Sequence, residues 1–320
     1  MTPLVDTGVF TISIDLELGW GMIDTPMTCT DLVNITAERE VVERLLALFA
    51  SHEVKATWAI VGHLLLDHVA GKGSTDLKPP QPGEYVVPND LFDQVGESCR
   101  DLWCARDVIK EIRRATPEQE LASHSFSHVR YDEGCTRRKV IEADVAQLVR
   151  IHNENQVPFK SFVFPYNCAG YRYLLAMAGV QAYRGMTPRW YHGITTPCIR
   201  RLANLVTVIA GFRPKTVMPS RDDTGMINIP DSMLWYSTHG IRRFIPDRRQ
   251  VCMAKAALDQ AALERSVFHL WFHPSNFVHD MARQLARLEE VLAYARSLES
   301  AGRISILTMN QLTETLHDGS

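Results

Sequence analysis

The chain has 320 residues, of which 46% are hydrophobic and 22% are charged, and its formal net charge is −3. This length suits one large globular domain, and the small net charge excludes the basic excess that is typical of nucleic-acid-binding proteins. No run approaches the roughly 20 apolar residues that cross a bilayer, and no basic and apolar leader is present, so we expect a cytoplasmic protein without membrane insertion. The seven cysteines form no CxxC pair, which predicts reduced thiols.

Strand and helix patterns alternate along the chain. The segment from Val9 to Ile14 is almost continuously apolar and predicts a buried strand, and the helical period from Ala37 to Ser51 predicts the helix that follows. Further strands are predicted at 55–62, 160–164, 181–185, 226–229, 266–272 and 303–308, and further helices at 105–115, 136–154, 171–179, 199–210, 251–265 and 280–301. Residues around 67–104 contain many Gly and Pro residues and predict an inserted loop.

Six or more such alternations predict an α/β protein, either a parallel barrel or an open doubly wound sheet. The barrel is favoured because the polar motifs described below all follow predicted strands. The βα loops at that end of the strands build the active site of such barrels. We expect a single domain that covers residues 1–320.

Two histidines four residues apart are the sharpest chemical signal. His124 and His128 follow the apolar segment 120–123. On one turn of helix they would share a face about 5–6 Å apart, which suits two ligands of one divalent metal. The same spacing also occurs on an ordinary surface helix, so the pair alone does not decide between a metal site and a surface helix turn.

A pair of carboxylates ends the first predicted strand. Asp15 and Glu17 are two residues apart on an extended segment, and their side chains therefore point the same way. Two neighbouring carboxylates at the mouth of a strand are unfavourable unless a cation or a proton holds them. The alternative is a solvated pair of acids in a loop.

A third polar motif ends the strand at 266–272. His273 stands before a proline, where it is a candidate acid, although a histidine at this place can also simply cap the strand. His269 cannot replace it, because four residues along a strand separate the two by roughly 13 Å.

The motifs at 14–17, 124–128, 164–167 and 270–274 resemble, in this order, those of the polysaccharide deacetylases of the NodB-homology group, carbohydrate esterase family four. The resemblance runs across nearly the whole chain. It implies a distorted (β/α) barrel of seven or eight parallel strands. It also implies metal-dependent hydrolysis of an N-acyl group, usually an acetyl group on an amino sugar.

Two departures from the family pattern concern the site. The family's first motif has adjacent aspartates, whereas Leu16 separates Asp15 from Glu17, so the division of the two carboxylates between base and metal ligand stays open. The third motif usually carries an arginine where Val163 stands. Arg184 is the candidate for its replacement.

The resulting site assignment follows general chemistry. Glu17, His124 and His128 are the predicted ligands of Zn²⁺, with Fe²⁺, Co²⁺, Ni²⁺ or Mn²⁺ as alternatives, and such a set leaves positions for water and an amide oxygen. Asp15 is the predicted base, and His273 is the predicted acid for the leaving amine.

A second group of residues is predicted to bind the substrate. Tyr166, Asn167 and Arg184 are the candidates, and a backbone N–H near Tyr166 is expected to hold the oxyanion.

The function that these motifs favour is N-deacetylation of an amino sugar or a nucleotide- or carrier-linked sugar precursor, in the synthesis of a surface polysaccharide or glycoconjugate. The first alternative is a hydrolase or deformylase of a small non-sugar amide on the same scaffold. The second is a barrel that binds carbohydrate without turnover.

Overall fold

The structure is a computed structural model that describes residues 6–24, 28–66, 102–196 and 213–318, together with residues 199, 203, 206 and 207. Its strands are β1 (Gly8–Leu16), β2 (Thr57–Ile60), β3 (Glu120–Ser123), β4 (Ser161–Val163), β5 (Ala182–Arg184), β6 (Ser220–Arg221), β7 (Ile227–Asn228), β8 (Met233–Leu234), β9 (Val267–Phe272) and β10 (Ile304–Ile306). The inserted loop predicted around 67–104 lies almost entirely outside the described residues. Most of the helix predicted at 199–210 also lies outside them.

Eight α-helices are present in the described part of the chain. They are α1 (Cys29–Ser51), α2 (Arg106–Arg114), α3 (Arg138–Glu154), α4 (Arg172–Met177), α5 (Asp247–Glu264), α6 (Ser275–Val278), α7 (Met281–Ser300) and α8 (Met309–Asp318). Helix α1 begins well before the predicted Ala37, because Thr28 and Asp31 form a capping box in which each side chain accepts from the other's backbone N–H. No helix within the described ranges is long and apolar enough to cross a membrane.

The described strands form one curled and mostly parallel sheet. Strand β1 pairs with β9 on one side, and on the other side with β10 at its start and with β2 at its end. The sheet continues from β2 through β3, β4 and β5 to β7 with every pair parallel, and only β6 runs antiparallel, against β7.

The extended segment at 227–235 links the two ends of this sheet. Its first part pairs with β5, and the N–H of Ile229 donates to the carbonyl of Tyr183 at 2.9 Å. Its second part pairs with β9, and the N–H of Trp235 donates to the carbonyl of Trp271 at 2.9 Å. Strands β7 and β8 therefore occupy one position of a barrel in which the described strands fill seven such positions, with β10 as an additional parallel strand. The prediction of a distorted barrel with seven or eight parallel strands is confirmed.

The interior of the barrel changes from apolar to polar along the strands. On β1, Phe10 and Ile14 belong to the core between sheet and helices, whereas Val9 belongs to a separate apolar cluster with small residues such as Ala59 and Ala122. Three residues of α8 join this second cluster: Met309, Leu312 and Leu316. Helix α8 thus fills one end of the barrel. Buried Asp15 lies near the end of β1, at the other end of the barrel.

Candidate metal and catalytic site

The candidate site lies where the carboxyl ends of the strands meet. Glu17 follows β1, His124 follows β3, and His273 follows β9. Parallel pairing brings these ends to the same rim of the barrel, and three carboxylate and imidazole side chains that are distant in sequence therefore converge there.

Three of the predicted residues form a tight cluster of possible metal ligands. One oxygen, Glu17 Oε1, lies 2.9 Å from His124 Nε2 and 3.1 Å from His128 Nε2. All three side chains are largely withdrawn from water, with exposed fractions of 15%, 1% and 4%. Two imidazole nitrogens and one carboxylate oxygen are a donor set that suits Zn²⁺ and leaves a position for substrate or water.

The hydrogen bond at Nδ1 of His124 supports a cation between Nε2 of His124 and the carboxylate of Glu17. His124 Nδ1 lies 2.8 Å from the carbonyl oxygen of Val163, which can only accept, so Nδ1 carries the proton. Nε2 then faces the carboxylate of Glu17, either with a second proton or with a lone pair that a metal ion can use. Two electron-rich atoms at 2.9 Å need a proton or a metal ion between them. A backbone carbonyl behind a ligating imidazole is also a common arrangement in metal sites.

Residues 124–128 do not form the predicted helical turn. Ser125 and His128 adopt positive φ angles of 66° and 56°, and the segment is an irregular loop. Its shape is held by buried Asp144 of α3, whose carboxylate accepts the backbone N–H groups of Phe126 and Ser127 at 3.0 and 3.1 Å. The two imidazoles nevertheless lie together, with ring centroids 5.2 Å apart.

The carboxylate of Asp15 faces Arg184 of β5. Both guanidinium nitrogens Nη1 and Nη2 donate to it at 2.7 Å, and the two side chains are only 3% and 1% exposed. Val163 of β4 belongs to the apolar cluster of the interior, and the cation that pairs with Asp15 comes from the neighbouring strand β5. A bidentate ion pair of this kind fixes the orientation of a carboxylate.

A buried polar chain continues behind Arg184. Arg184 Nη1 donates to Ser13 Oγ at 2.9 Å, and Ser13 Oγ lies 2.8 Å from His269 Nε2. His269 Nδ1 lies 3.2 Å from the carbonyl oxygen of Ile229, so this nitrogen carries the proton and Nε2 accepts from the serine hydroxyl. Burial, together with the charge of Arg184, lowers the pKa of His269 to about 4. The imidazole is therefore neutral and anchors the guanidinium through Ser13.

His273 lies above both carboxylates. Its Nε2 is 3.4 Å from Glu17 Oε1 and 3.7 Å from Asp15 Oδ2, and 26% of the side chain is exposed. Burial disfavours the charged imidazole, but the two carboxylates outweigh burial and raise the pKa of His273 to about 9. His273 therefore carries a proton at neutral pH.

The carboxylates themselves stay ionised. Burial opposes the charge of Asp15, but Arg184 and the neighbouring imidazoles hold its pKa below the usual value. Burial likewise opposes the charge of Glu17, and the imidazoles of His128 and His273 hold its pKa well below the usual value. The site thus combines two carboxylates with a protonated imidazole.

The two remaining predicted substrate-binding residues line the rim beside this cluster. Tyr166 and Asn167 have positive φ angles of 55° and 54°, and the ring of Tyr166 lies 4.9 Å from that of His128. Asn167 Oδ1 lies 3.4 Å from Arg184 Nη2. Both residues are close enough to the cluster to contact a substrate there, whereas Arg184 is covered by Asp15.

Sequence reasoning missed four residues that shape the site. Ser13, Asp144 and His269 act through hydrogen bonds that only the folded chain makes. Glu38 of α1 is buried beside Asp15, Glu17 and His273 in a cavity of about 490 Å³. Of these four residues, Glu38 could have been noticed in the sequence, because a charged residue among the apolar positions of an amphipathic helix is expected to be buried.

Solved structures support the fold. A protein assigned as a polysaccharide deacetylase from Mycobacterium smegmatis is 14% identical, with a TM-score of 0.64, and the match covers 98% of this chain and 91% of that one. The Puue allantoinase is 12% identical, with a TM-score of 0.63 and coverages of 97% and 90%. A protein assigned as a polysaccharide deacetylase from Pseudomonas aeruginosa PAO1 is 13% identical, with a TM-score of 0.58 and coverages of 97% and 91%.

At the level of sequence alone, no family model and no curated protein matches this chain. The structural likeness confirms the barrel of the polysaccharide deacetylase type that the ordered motifs indicated. With identities of 12–14% it establishes the fold and no more.

Proposed function

We propose that this protein is a metal-dependent hydrolase that removes an N-acetyl group from an amino sugar or an amino-sugar precursor. The observation that carries the proposal is the convergence of Glu17, His124 and His128 on one point beside Asp15 and His273. A set of metal ligands, a buried carboxylate that can act as base and a protonated imidazole that can act as acid are the groups that metal-dependent amide hydrolysis uses. The resemblance of four ordered motifs to deacetylases, and the structures that share the fold, support the choice of an N-acyl bond.

In this proposal Glu17 and the two histidines hold Zn²⁺, which would polarise the amide carbonyl and make water a better nucleophile. Asp15 accepts the proton that water loses as its oxygen bonds to the acyl carbon. His273 gives its proton to the amide nitrogen as the carbon–nitrogen bond breaks. Arg184 keeps Asp15 ionised and oriented, and the rim at Tyr166 and Asn167 positions the acyl group.

The opposite protonation states of the two groups support this division of roles. The guanidinium of Arg184 helps to hold the pKa of Asp15 low, so the carboxylate is free to accept a proton. Without a bound metal, Glu17 and Asp15 outweigh burial and raise the pKa of His273 to about 9, and Asp15 remains 3.7 Å from the imidazole to favour its proton when Glu17 holds the metal. A base and an acid beside one scissile bond can each act once per turnover and exchange their protons with solvent afterwards.

The cytoplasm is the proposed place of action, in the synthesis of a surface polysaccharide or glycoconjugate. The described cysteines are all free thiols, which supports a reducing compartment. A precursor is the form in which an amino sugar for such a polymer occurs there.

Metal analysis is the direct test. Protein purified without chelator should contain about one equivalent of a transition metal, and His124→Ala, His128→Ala and Glu17→Gln should each lose it. His52→Ala is the matched control, because His52 lies outside the cluster and pairs with Glu289. Wild-type protein should release acetate from N-acetylated sugars, and chelation should stop the release. Full metal content in the His124→Ala variant would overturn the assignment.

A second candidate is hydrolysis of a small non-sugar amide. The likeness to an allantoinase over 97% of the chain favours it, because that fold also serves an enzyme named for a small ureide. A screen of acylated sugars, formamides and ureides with the metal-loaded protein separates the two candidates. Turnover of a ureide or formamide with no release of acetate from any sugar would replace the first proposal by the second.

A further inference from the structure

A cavity of about 570 Å³ opens beside the catalytic cavity that Asp15, Glu17 and His273 line. Trp271 lines this second cavity, and its ring centroid lies 5.6 Å from that of His273. Arg242 lines both cavities. A ligand in the second cavity would therefore lie next to the group that is proposed to protonate the leaving amine.

The second cavity is rich in positive charge although the protein as a whole has a formal charge of −3. Four cationic side chains line it: Arg189, Arg213, Lys215 and Arg242. We call it the cationic cavity. Among the described residues, Asp231 is the one carboxylate that lines it, and this side chain pairs with Arg189 at 2.6 Å and accepts from the indole N–H of Trp271 at 3.1 Å.

The three other cations have no carboxylate partner within the described part of the chain. Arg213 Nη1 donates to the neutral side-chain oxygen of Gln260 at 2.8 Å, and this contact does not compensate its charge. The guanidinium of Arg242 lies 5.4 Å from the ring centroid of Tyr236. Lys215 is exposed and forms no ion pair with any described residue. Three cations without a carboxylate partner among the described residues repel one another around this cavity, and an anionic ligand would remove that repulsion.

The number of cations points to a ligand with more than one negative charge. A single carboxylate would compensate one of them, whereas a diphosphate places two charged groups side by side and accepts several hydrogen bonds from Arg and Lys. Trp190 is 67% exposed at the same cavity, and Met186 is 50% exposed. Exposed apolar side chains beside the cations can cover a base or an isoprenyl chain.

We propose that the cationic cavity binds the diphosphate group of a diphosphate-linked amino sugar, whose acylated nitrogen then lies at His273. This inference rests on the proposed deacetylase function and specifies its substrate class. The sugar ring would bridge the short distance past Trp271, between the cations and the catalytic cavity. Arg242, which borders both cavities, would contact the phosphate that is joined to the sugar.

The test measures the binding of three probes by calorimetry: inorganic pyrophosphate, uridine diphosphate and geranyl diphosphate. Binding is measured in wild-type protein and in the His124→Ala/His128→Ala variant, so that a metal at Glu17 cannot itself chelate the diphosphate. The variants are Arg242→Gln and Lys215→Gln. Arg303→Gln is the control, because Arg303 is an exposed arginine that precedes β10 at the opposite end of the barrel. Melting temperatures of all variants verify that they are folded.

We expect saturable binding of diphosphates that weakens with salt, and each cavity variant should raise Kd by roughly tenfold, because it removes one charged hydrogen-bond donor to the diphosphate. The control should leave Kd unchanged. Tighter binding of uridine diphosphate than of pyrophosphate indicates a nucleotide-linked substrate, and tighter binding of geranyl diphosphate indicates a lipid carrier. Both results support the proposal.

Equal Kd values in wild-type protein and in the cavity variants, or no diphosphate binding, would overturn it. The proposed function fails separately, through absence of metal or of acetate release. Acetate release from a free N-acetylated sugar without diphosphate binding would leave the deacetylase standing and remove this inference.

Discussion

The ion pair of Asp15 and Arg184 is almost completely withdrawn from water, with side-chain exposures of 3% and 1%. Removing one partner of such a pair leaves the other charge buried without compensation, whereas removing both avoids that penalty. The bidentate geometry, with two hydrogen bonds of 2.7 Å, leaves little freedom for either group to turn toward solvent. The pair is therefore important for stability as well as for the proposed chemistry.

We expect Arg184→Gln to lower the free energy of unfolding by roughly 3–5 kcal/mol at pH 7, measured by urea denaturation. The Asp15→Asn/Arg184→Gln double variant should be more stable than Arg184→Gln, because no isolated charge remains. The loss in the single variant should shrink as pH falls, since protonation of Asp15 removes the buried charge. An Arg184→Gln protein as stable as the wild type would contradict this account of the pair.

At the scale of single residues, the sequence could predict the groups that carry chemistry but not those that orient them. Asp15, Glu17, His124 and His273 stand at strand ends, and a pattern of strands is readable from the chain. The sequence could not predict the hydrogen bonds of Ser13 and His269, because they join β1, β5 and β9 across the barrel interior. Which side chains meet inside a closed sheet depends on strand register, and short strands do not specify register.

The loop that holds His124 and His128 shows a similar limit at the scale of elements. A spacing of four residues fits a helical turn, yet the segment takes a looped path with two positive φ angles. Buried Asp144 stabilises that path, because its carboxylate accepts the backbone N–H groups of Phe126 and Ser127. The spacing still brought the imidazoles together, but tertiary hydrogen bonds decided the conformation.

Helix α1 carries a buried acid toward the same site. Glu38 is 6% exposed and faces the catalytic cavity without a hydrogen-bond partner among the described residues. Burial, together with the charge of Glu17, raises the pKa of Glu38 to about 8 from an ordinary value of 4.5. The folded protein thus holds a proton between these pH values that the unfolded chain has lost, so Glu38 lowers stability progressively as pH rises from 4.5 to 8.

We expect Glu38→Gln to gain stability relative to the wild type as pH rises between about 5 and 7.5, by at most about 1.4 kcal/mol per pH unit. Thermal or urea unfolding of the two proteins over this range measures the difference. Glu43→Gln is the control, because Glu43 is an exposed acid on the same helix and its substitution should give no such slope. A difference between Glu38→Gln and wild type that does not vary with pH would show that Glu38 is ionised in the folded state.

At the scale of the whole molecule, the β–α alternation was enough to predict a parallel barrel, because the hydrophobic periodicity and the order of strands and helices can be read from the sequence. The closure of the barrel was not predictable in the same way. Strands β7 and β8 have two residues each, and they pair with β5 and β9 because the segment between them spans the gap. So short a segment has no periodicity to read, and its pairing depends on where the neighbouring strands end.

The two ends of the barrel separate stability from chemistry. Helix α8 fills one end with apolar side chains, among them Leu312, which is fully buried, whereas the candidate ligands lie at the other end. Leu312→Ala should lower the free energy of unfolding by roughly 2–5 kcal/mol, because it opens a cavity in a packed cluster, yet leave the metal content unchanged. Leu263→Ala, at a leucine that is 76% exposed, should change neither. Urea denaturation and metal analysis of the folded variants test this separation. If Leu312→Ala lost the metal while still folded, the two ends would be coupled, and the rigid strands between them would not isolate the site from the apolar cluster.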